Sequence, residues 1–454
     1  MLSQIKKLLM PGFVGFEVPS WVEEHLQSGL GSICLYGSNS GPLEQMRDLV
    51  KQLSEMSSEK LIIATDEEGG DVTRIEYLSG SSFSGNRTLG QKNDLQQTAS
   101  EAEQIAKLCS TIGVNMNLAP VADVNTNPRN PVIGNRSFGD NPQLVSQHVS
   151  TWVQSHQGSG VACTAKHFPG HGDTVSDSHL GPAVVSGGWD EIRANHLQPF
   201  QAAVDAGVAA IMTGHLAVGS KTPTSQDSYA HDVLRNELGF QGVVITDALD
   251  MKAASNGDIA EAALASFIAG ADLLCLGPNV SEDEFNQIIT KFELALSSEL
   301  ITEQRVIESA IRVERLANEF ARSFSQDAIE LEVRDLSVDI TGNPPKMVYR
   351  FESTHNPAVG EAPWLGIESD IPTQNLEPQM VSSQTDFADT AILVRHQNSL
   401  NELANLWPQS IGKKEVTIFS PGPIWDWKGF EGYDLGGASL PHTKVLLTYL
   451  KGES

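Results

Sequence analysis

The chain has 454 residues, 40% hydrophobic and 19% charged, with a formal net charge of −27, a globular composition with room for one large domain and a smaller one. Such a charge repels phosphate backbones and anionic lipid, which argues against nucleic-acid and membrane-surface roles, and no apolar run reaches the ~18 residues of a membrane span. Cys34, Cys109, Cys163 and Cys275 lie inside apolar runs without disulfide or metal-ligand spacing, so they read as buried reduced thiols of a cytoplasmic protein.

In chain order, Met1 to Pro11 carries lysines but no long apolar stretch and no small-residue cleavage site, which predicts a helix leading into a first strand rather than a signal peptide. Short apolar runs then alternate with helical patterns as far as about residue 325. The runs are 12–16, 32–36, 61–65, 114–119, 160–165, 208–213, 242–246 and 272–276, eight expected strands in all. Helices are expected near 20–29, 42–57, 94–112, 143–157, 189–206, 231–238 and 258–269, then 282–296 and 303–324. Near-continuous apolar strands alternating with helices predict an α/β fold, a (β/α)8 barrel over 1–325; a doubly wound open sheet is the rival pattern.

Beyond that barrel the pattern turns to strand-like alternation at 331–333, 338–340 and 347–349, with further apolar runs at 391–394 and 416–419 and a closing helix at 441–451. This predicts a small α/β C-terminal domain over 326–454. It carries no recognisable site and reads as a packing or dimerisation module.

Chemistry concentrates at the carboxyl ends of the expected barrel strands, where barrel enzymes hold their active sites. Asp66, Glu67 and Glu68 follow strand 3, Asn117 sits at strand 4, Lys166 and His167 follow strand 5, His215 follows strand 6, and Asp247 follows strand 7. The loop from Lys166 to His179 packs His167, His171, His179, Asp173 and Asp177 into one Gly/Pro-rich stretch, a composition that does chemistry more often than packing. Asp247, projecting from a rigid strand end, is the candidate nucleophile; the alternative is a helix N-cap, for which Asp250 is the more natural choice. Asp177 and His179 share a face in an extended loop, so the carboxylate can fix the imidazole tautomer and leave the other nitrogen to move a proton; the alternative is a surface turn with a solvated histidine. Lys166, His167, Arg136 and Arg74 are donors suited to sugar hydroxyls or a carboxylate, although a lone arginine is commonly a surface salt bridge. Asp66 can accept two hydroxyl hydrogen bonds, and Glu67 and Glu68 either join it or merely orient the loop. His167 and His171 span a Pro-Gly turn rather than a helix turn, so they lack the geometry of helical zinc motifs. No metal and no cofactor is expected.

The stretch Lys166-His167-Phe168-Pro169-Gly170-His171-Gly172, with Asp177-Ser178-His179, resembles the signature of family 3 glycoside hydrolases in their β-N-acetylhexosaminidase branch. Asp66-Glu67-Glu68-Gly69-Gly70, Val132-Ile133-Gly134-Asn135-Arg136-Ser137-Phe138 and Thr246-Asp247-Ala248-Leu249-Asp250-Met251 resemble further segments of that family, in the same order. The C-terminal stretch resembles, more weakly, the reduced second domain of actinobacterial-type members. The resemblance implies a retaining exo-β-N-acetylglucosaminidase acting on a small carbohydrate, cell-wall fragments being the expected source. Asp247 is then the nucleophile, Asp177 and His179 the acid/base dyad, and Asp66, Arg136, Lys166 and His167 the grip on the sugar. Glu67 and Asp71 stand where Gln and Arg are common in the family; both departures make the loop more acidic and weigh against an anionic group in the neighbouring subsite. A β-N-acetylglucosaminide phosphorylase and a metal-dependent hydrolase on the same barrel are the competing activities.

Overall fold

The computed structural model describes residues 1–174, 183–185, 187–219, 222–255 and 257–320, then 347–351, 373–376, 390–394, 397–407, 416–420, 430–435 and 439–450, with Val381, Lys413, Asp426 and Lys428. Its first part holds eight barrel strands that alternate with helices: β1 (Leu9–Pro11), β2 (Ser32–Leu35), β3 (Ile62–Thr65), β4 (Met116–Asn117), β5 (Ala162–Phe168), β6 (Ala210–Thr213), β7 (Val243–Thr246) and β8 (Leu274–Gly277), beside a short parallel pair, Ala183–Val184 with Leu216–Ala217. Strands β2 to β7 form one parallel sheet in chain order, and β1 pairs in parallel with β8. A bridge between Ile245 and Leu273 joins β7 to β8, and the Ser32 hydroxyl donates to Leu9 O at 3.0 Å across the seam between β1 and β2.

Inward-facing residues show that the eight strands enclose one core. Met10, Cys34, Ala64, Met116, Ala162, Met212, Ile245 and Cys275 pack in a single buried cluster, the filled interior expected of this barrel. Val313, Leu316, Ala317 and Phe320 join it from the helix Glu303–Phe320, against strand-start residues such as Ile62, Ala162, Ala210 and Val243. That helix covers the amino-terminal end, so that among the described residues the interior opens toward the carboxyl ends of the strands.

The surrounding helices form where pattern and caps agree. The helix Leu43–Met56 buries Met46, Leu49, Val50 and Leu53, the stripe that a 3.6-residue period presents to a sheet. Asp94 accepts from the Gln96 and Gln97 amides to start Leu95–Ile112, and Asn141 accepts from Gln143 and Leu144 to start Pro142–Gly158; such caps satisfy amides that the helix cannot.

Three expectations shift. The first strand is Leu9–Pro11, not 12–16: the Asn39 amide nitrogen donates to Phe13 O at 3.0 Å and Gly15 O at 2.6 Å, which holds that apolar stretch in a loop. The helix expected over 189–206 is two, Gly188–Asn195 and Leu197–Asp205, divided at the fully buried His196. A short helix, Asn86–Lys92, was not expected at all.

The C-terminal strands are β9 (Met347–Phe351), β10 (Thr373–Asn375), β11 (Thr390–Val394), β12 (Val416–Ser420) and β13 (Glu431–Asp434), a parallel sheet of order β10-β9-β11-β12-β13. Leu400 and Leu403 of the helix Gln397–Leu406 pack on one face with Phe351, Ile392 and Ile418. Leu446 and Tyr449 of the helix Leu440–Leu450 pack on the other with Val348, Leu393 and Phe419. The expected strands at 331–333 and 338–340, and the expected boundary at 325, lie outside the described residues. No helix among the described residues is long and apolar enough to cross a membrane.

Candidate active site

The carboxyl ends of the barrel strands open into a cavity of about 240 Å³ lined by Asp66, Glu68, Arg74, Arg136, Lys166, His167, His171, Asp247 and Asp250, with Tyr36, Met212 and Met251 among its less polar walls. Ligand pockets start at ~300 Å³, so this one suits a single small polar ring. Asp66, Arg74, Arg136, Lys166, His167 and Asp247, named from the sequence as site residues, all line it. Asp177 and His179 lie outside the described residues.

One side of the cavity is a tight ionic network. Lys166, at the end of β5 and almost wholly buried, places Nζ 2.6 Å from Asp66 Oδ1 and 2.6 Å from Glu68 Oε1. The Arg136 guanidinium meets Glu68 as a fork, Nε to Oε2 at 2.9 Å and Nη2 to Oε1 at 2.8 Å, while Nη1 donates to Val132 O at 3.2 Å. Arg74 Nη2 stands 4.0 Å from the other Asp66 oxygen. Burial alone would raise the Glu68 pKa, but Arg136 and Lys166 hold it well below the carboxylate range. The same carboxylates overcome burial at Lys166 and raise its pKa. Glu68, Lys166 and Arg136 therefore stay charged at neutral pH, and Arg136 is a buried partner in the network rather than a surface salt bridge.

Glu67 and Glu68 have separate roles. Glu67 Oε2 accepts from the Thr73 hydroxyl and from the Arg74 and Ile75 amides, each at 2.9 Å, so this side chain ties the loop after β3. Its Oε1 is buried without a hydrogen bond, and burial, aided by nearby Glu76, pushes its pKa up to about 8 against those donors. Asn117, expected in the ring of site residues, instead clamps the same peptide: Oδ1 accepts from Glu67 N at 3.0 Å and Nδ2 donates to Glu67 O at 2.8 Å.

Asp123 is the residue that sequence reasoning missed. Fully buried, it accepts from His167 Nδ1 at 2.7 Å and from the His171 amide at 2.7 Å. Those contacts outweigh burial and keep its pKa low. A carboxylate on Nδ1 fixes the His167 tautomer and leaves Nε2 to accept from Arg136 Nη2 at 3.3 Å. The available signal was an aspartate in the otherwise apolar run Leu118 to Val124. His171, pushed down to about 4 mainly by burial, pairs through Nδ1 with the Thr174 hydroxyl at 2.7 Å. The turn between these histidines runs against the chain after β4: a Cβ on Gly172 would lie 1.8 Å from Val124 O, so only glycine fits there.

The opposite side carries Asp247, directly after β7 and half-buried. Its amide donates to Thr213 O at 2.9 Å, continuing the ladder, and Oδ1 accepts from Ala248 N at 2.8 Å. It caps no helix; the next long helix, Ile259–Ala269, is capped by Asp258. His215, also expected in the ring, braces the following segment through Nε2 to Ala248 O at 3.0 Å, with Nδ1 on Ser225 Oγ at 2.8 Å. Among the described residues, Lys166, Arg136 and Arg74 face the carboxylates of Asp66, Glu68 and Asp123, and Asp247 and Asp250 add two further carboxyl groups. Carboxylates facing a bound centre favour positive charge developing there.

A closed (β/α)8 barrel with a carboxylate facing a charge-balanced polar grip defines an enzyme scaffold that takes a small polyhydroxylated ligand. Residues 3–316 match the glycosyl hydrolase family 3 N-terminal domain, and the chain belongs to that family. It is 33% identical over 330 residues to a protein of Pseudoalteromonas piscicida named beta-hexosaminidase A, an alignment that spans 66% of this chain and 55% of that one. It is 32% identical over 278 residues to a beta-hexosaminidase of Stenotrophomonas maltophilia, across 59% of this chain and 82% of that one. Among solved structures, a family 3 β-N-acetylglucosaminidase from Paenibacillus superimposes with a TM-score of 0.84 at 25% identity, covering 100% of this chain and 97% of that one.

Proposed function

We propose that the chain is a retaining exo-β-N-acetylglucosaminidase that removes terminal β-linked N-acetylglucosamine, peptidoglycan-derived fragments being the expected source. The carrying observation is the division of the cavity: a neutralised grip of Asp66, Lys166, Arg136 and His167 faces the strand-end carboxylate of Asp247. The names of the relatives support the sugar class. In the proposed reaction a carboxylate oxygen of Asp247 attacks the anomeric carbon as the bond to the leaving oxygen breaks. The imidazolium of His179, held by Asp177, supplies that oxygen with a proton. Water then attacks the anomeric carbon of the glycosyl ester, the imidazole takes its proton, and Asp247 leaves with the configuration retained. Two carboxyl groups ~5–5.5 Å apart are the usual retaining arrangement; here an imidazole takes the place of one.

Four free buried cysteines fit the cytoplasmic setting that accompanies this proposal. The test is turnover of a chromogenic β-N-acetylglucosaminide by the wild-type chain, by Asp247→Asn and by His179→Ala. Free N-acetylglucosamine formed at equal rates with and without phosphate, and after chelation, is the expected result. Sugar 1-phosphate formed only in phosphate would make the enzyme a phosphorylase. Loss of activity on chelation with recovery on zinc would make it a metal-dependent hydrolase.

A further inference from the structure

The unexpected helix Asn86–Lys92 lies between the sugar-gripping loop and the C-terminal sheet, and its side chains bond to both. Toward the site, Asn86 Nδ2 donates to Arg136 O at 2.7 Å, fully buried. Gly90 approaches the same loop two residues on, where a Cβ would fall 1.6 Å from Phe138 O, so helix and loop backbones touch. On the other side, Arg87 grips Asp434 of β13 with two parallel bonds, Nη1 to Oδ1 at 2.8 Å and Nη2 to Oδ2 at 2.5 Å. Thr88 Oγ1 stands 2.9 Å from Nε2 of the buried His442, whose Nδ1 is 2.8 Å from Ser439 Oγ.

From this we infer that Asp434 and His442 are positioning residues for Arg136, acting through Arg87, Thr88 and Asn86, and that the C-terminal sheet sets the geometry of the sugar grip. A seven-residue helix without a side-chain N-cap is too short to hold itself in water, so its position is set by what it touches. Of its outer contacts, the Arg87–Asp434 pair is charge-assisted and bidentate, the strong class of hydrogen bond. Its inner contacts end on the backbone of the residue that forks Glu68. A shift of the helix therefore moves the Arg136 peptide. The guanidinium, anchored by Glu68 and by Val132 O, then loses its alignment with the ligand.

The inference rests on the proposed N-acetylglucosaminidase activity for its kinetic readout, and hydrogen–deuterium exchange supplies one that does not. In the full chain, Asp434→Ala, Arg87→Ala, their double variant and His442→Ala are compared for steady-state kinetics on the chromogenic substrate and for exchange over residues 130–138. Contacts held equally in ground and transition states act on KM rather than kcat, so KM is expected to rise about threefold or more, with kcat within about twofold. Exchange over 130–138 is expected to accelerate while the strands β2 to β7 stay protected. The double variant is expected to be no worse than the worse single one, as for two residues acting through one contact. Unchanged KM with unchanged exchange over 130–138 overturns the inference. So does a lowered melting temperature with unchanged KM, since that reports docking alone. If the wild-type chain shows no turnover, the activity proposal fails, and exchange over 130–138 decides the inference by itself.

Discussion

The two sides of the cavity differ in how much their charges are committed. On the β3 to β5 side, Lys166, Arg136 and Glu68 are buried and bound to one another through contacts of 2.6–2.9 Å, and buried Asp123 holds His167 at 2.7 Å. On the β7 side, Asp247 is half-buried and is oriented by its own neighbour's amide. Committed charges hold shape and titrate far from neutrality. Asp247 lines the open cavity, where the proposed reaction sets it against the anomeric carbon. On the proposed reading, gripping and reacting fall to different strands, and each substitution below loads one side.

The largest expected effect is on the reacting side. Asp247→Asn is expected to lower kcat on the order of 10⁴-fold while leaving the unfolding midpoint close to that of the wild-type chain, because asparagine keeps the side chain's size and its oxygen can still accept from Ala248 N. Steady-state kinetics beside denaturant melts check both halves. Loss of stability equal to loss of rate would assign Asp247 to the scaffold.

On the gripping side, Glu68→Ala leaves Lys166 and Arg136 buried with one counter-ion fewer. Breaking such a pair costs about 3–5 kcal/mol, read from urea unfolding, with turnover lost as well. The pH dependence has the sign of a depressed carboxylate: Glu68 and Asp123 contribute stability above their unfolded pKa values that is lost as the pH falls through the folded ones.

Glu67 runs the other way. Its pKa of about 8 in the folded chain means that the native state binds more protons than the unfolded state between pH 4.5 and 8, so stability falls as pH rises across that window. Glu67→Gln is expected to be close to neutral near pH 4.5 and increasingly stabilising up to pH 8, by at most about 1.4 kcal/mol per pH unit, and level above it. Melts across that range would refute the account if the difference between the two chains did not change with pH.

The smallest effect is at Asp250, exposed at the cavity rim. Asp250→Asn is expected to change kcat/KM by about tenfold or less, and a loss matching that of Asp247→Asn would blur the division between reacting residue and rim.

Much of this arrangement was legible because barrel strands buried on both sides must read as apolar runs, and because their carboxyl ends are where a polar residue stands out. Lys166, His167, Asp66 and Asp247 were visible for that reason. Asp123 was hidden by distance: its partner His167 lies 44 residues away, and a lone aspartate among apolar residues carries no spacing signal. Arg74 and Arg136 could be read as donors, yet Arg136's burial against Glu68 depends on two loops meeting. The helix Asn86–Lys92 was illegible because its stretch, Asn-Arg-Thr-Leu-Gly-Gln-Lys, has one large apolar residue and a central glycine; tertiary contacts rather than propensity place it. The strands Thr373–Asn375 and Glu431–Asp434 are polar at most positions and gain their conformation from pairing with β9 and β12.

The central claim is that Asp247 reacts while the opposite side holds the sugar. Mechanism-based labelling with a fluorinated N-acetylglucosamine analogue, followed by peptide mapping, tests it most directly. A covalent adduct on Asp247 is the expected result; an adduct on Asp66, Glu68 or any residue of the gripping side would contradict it.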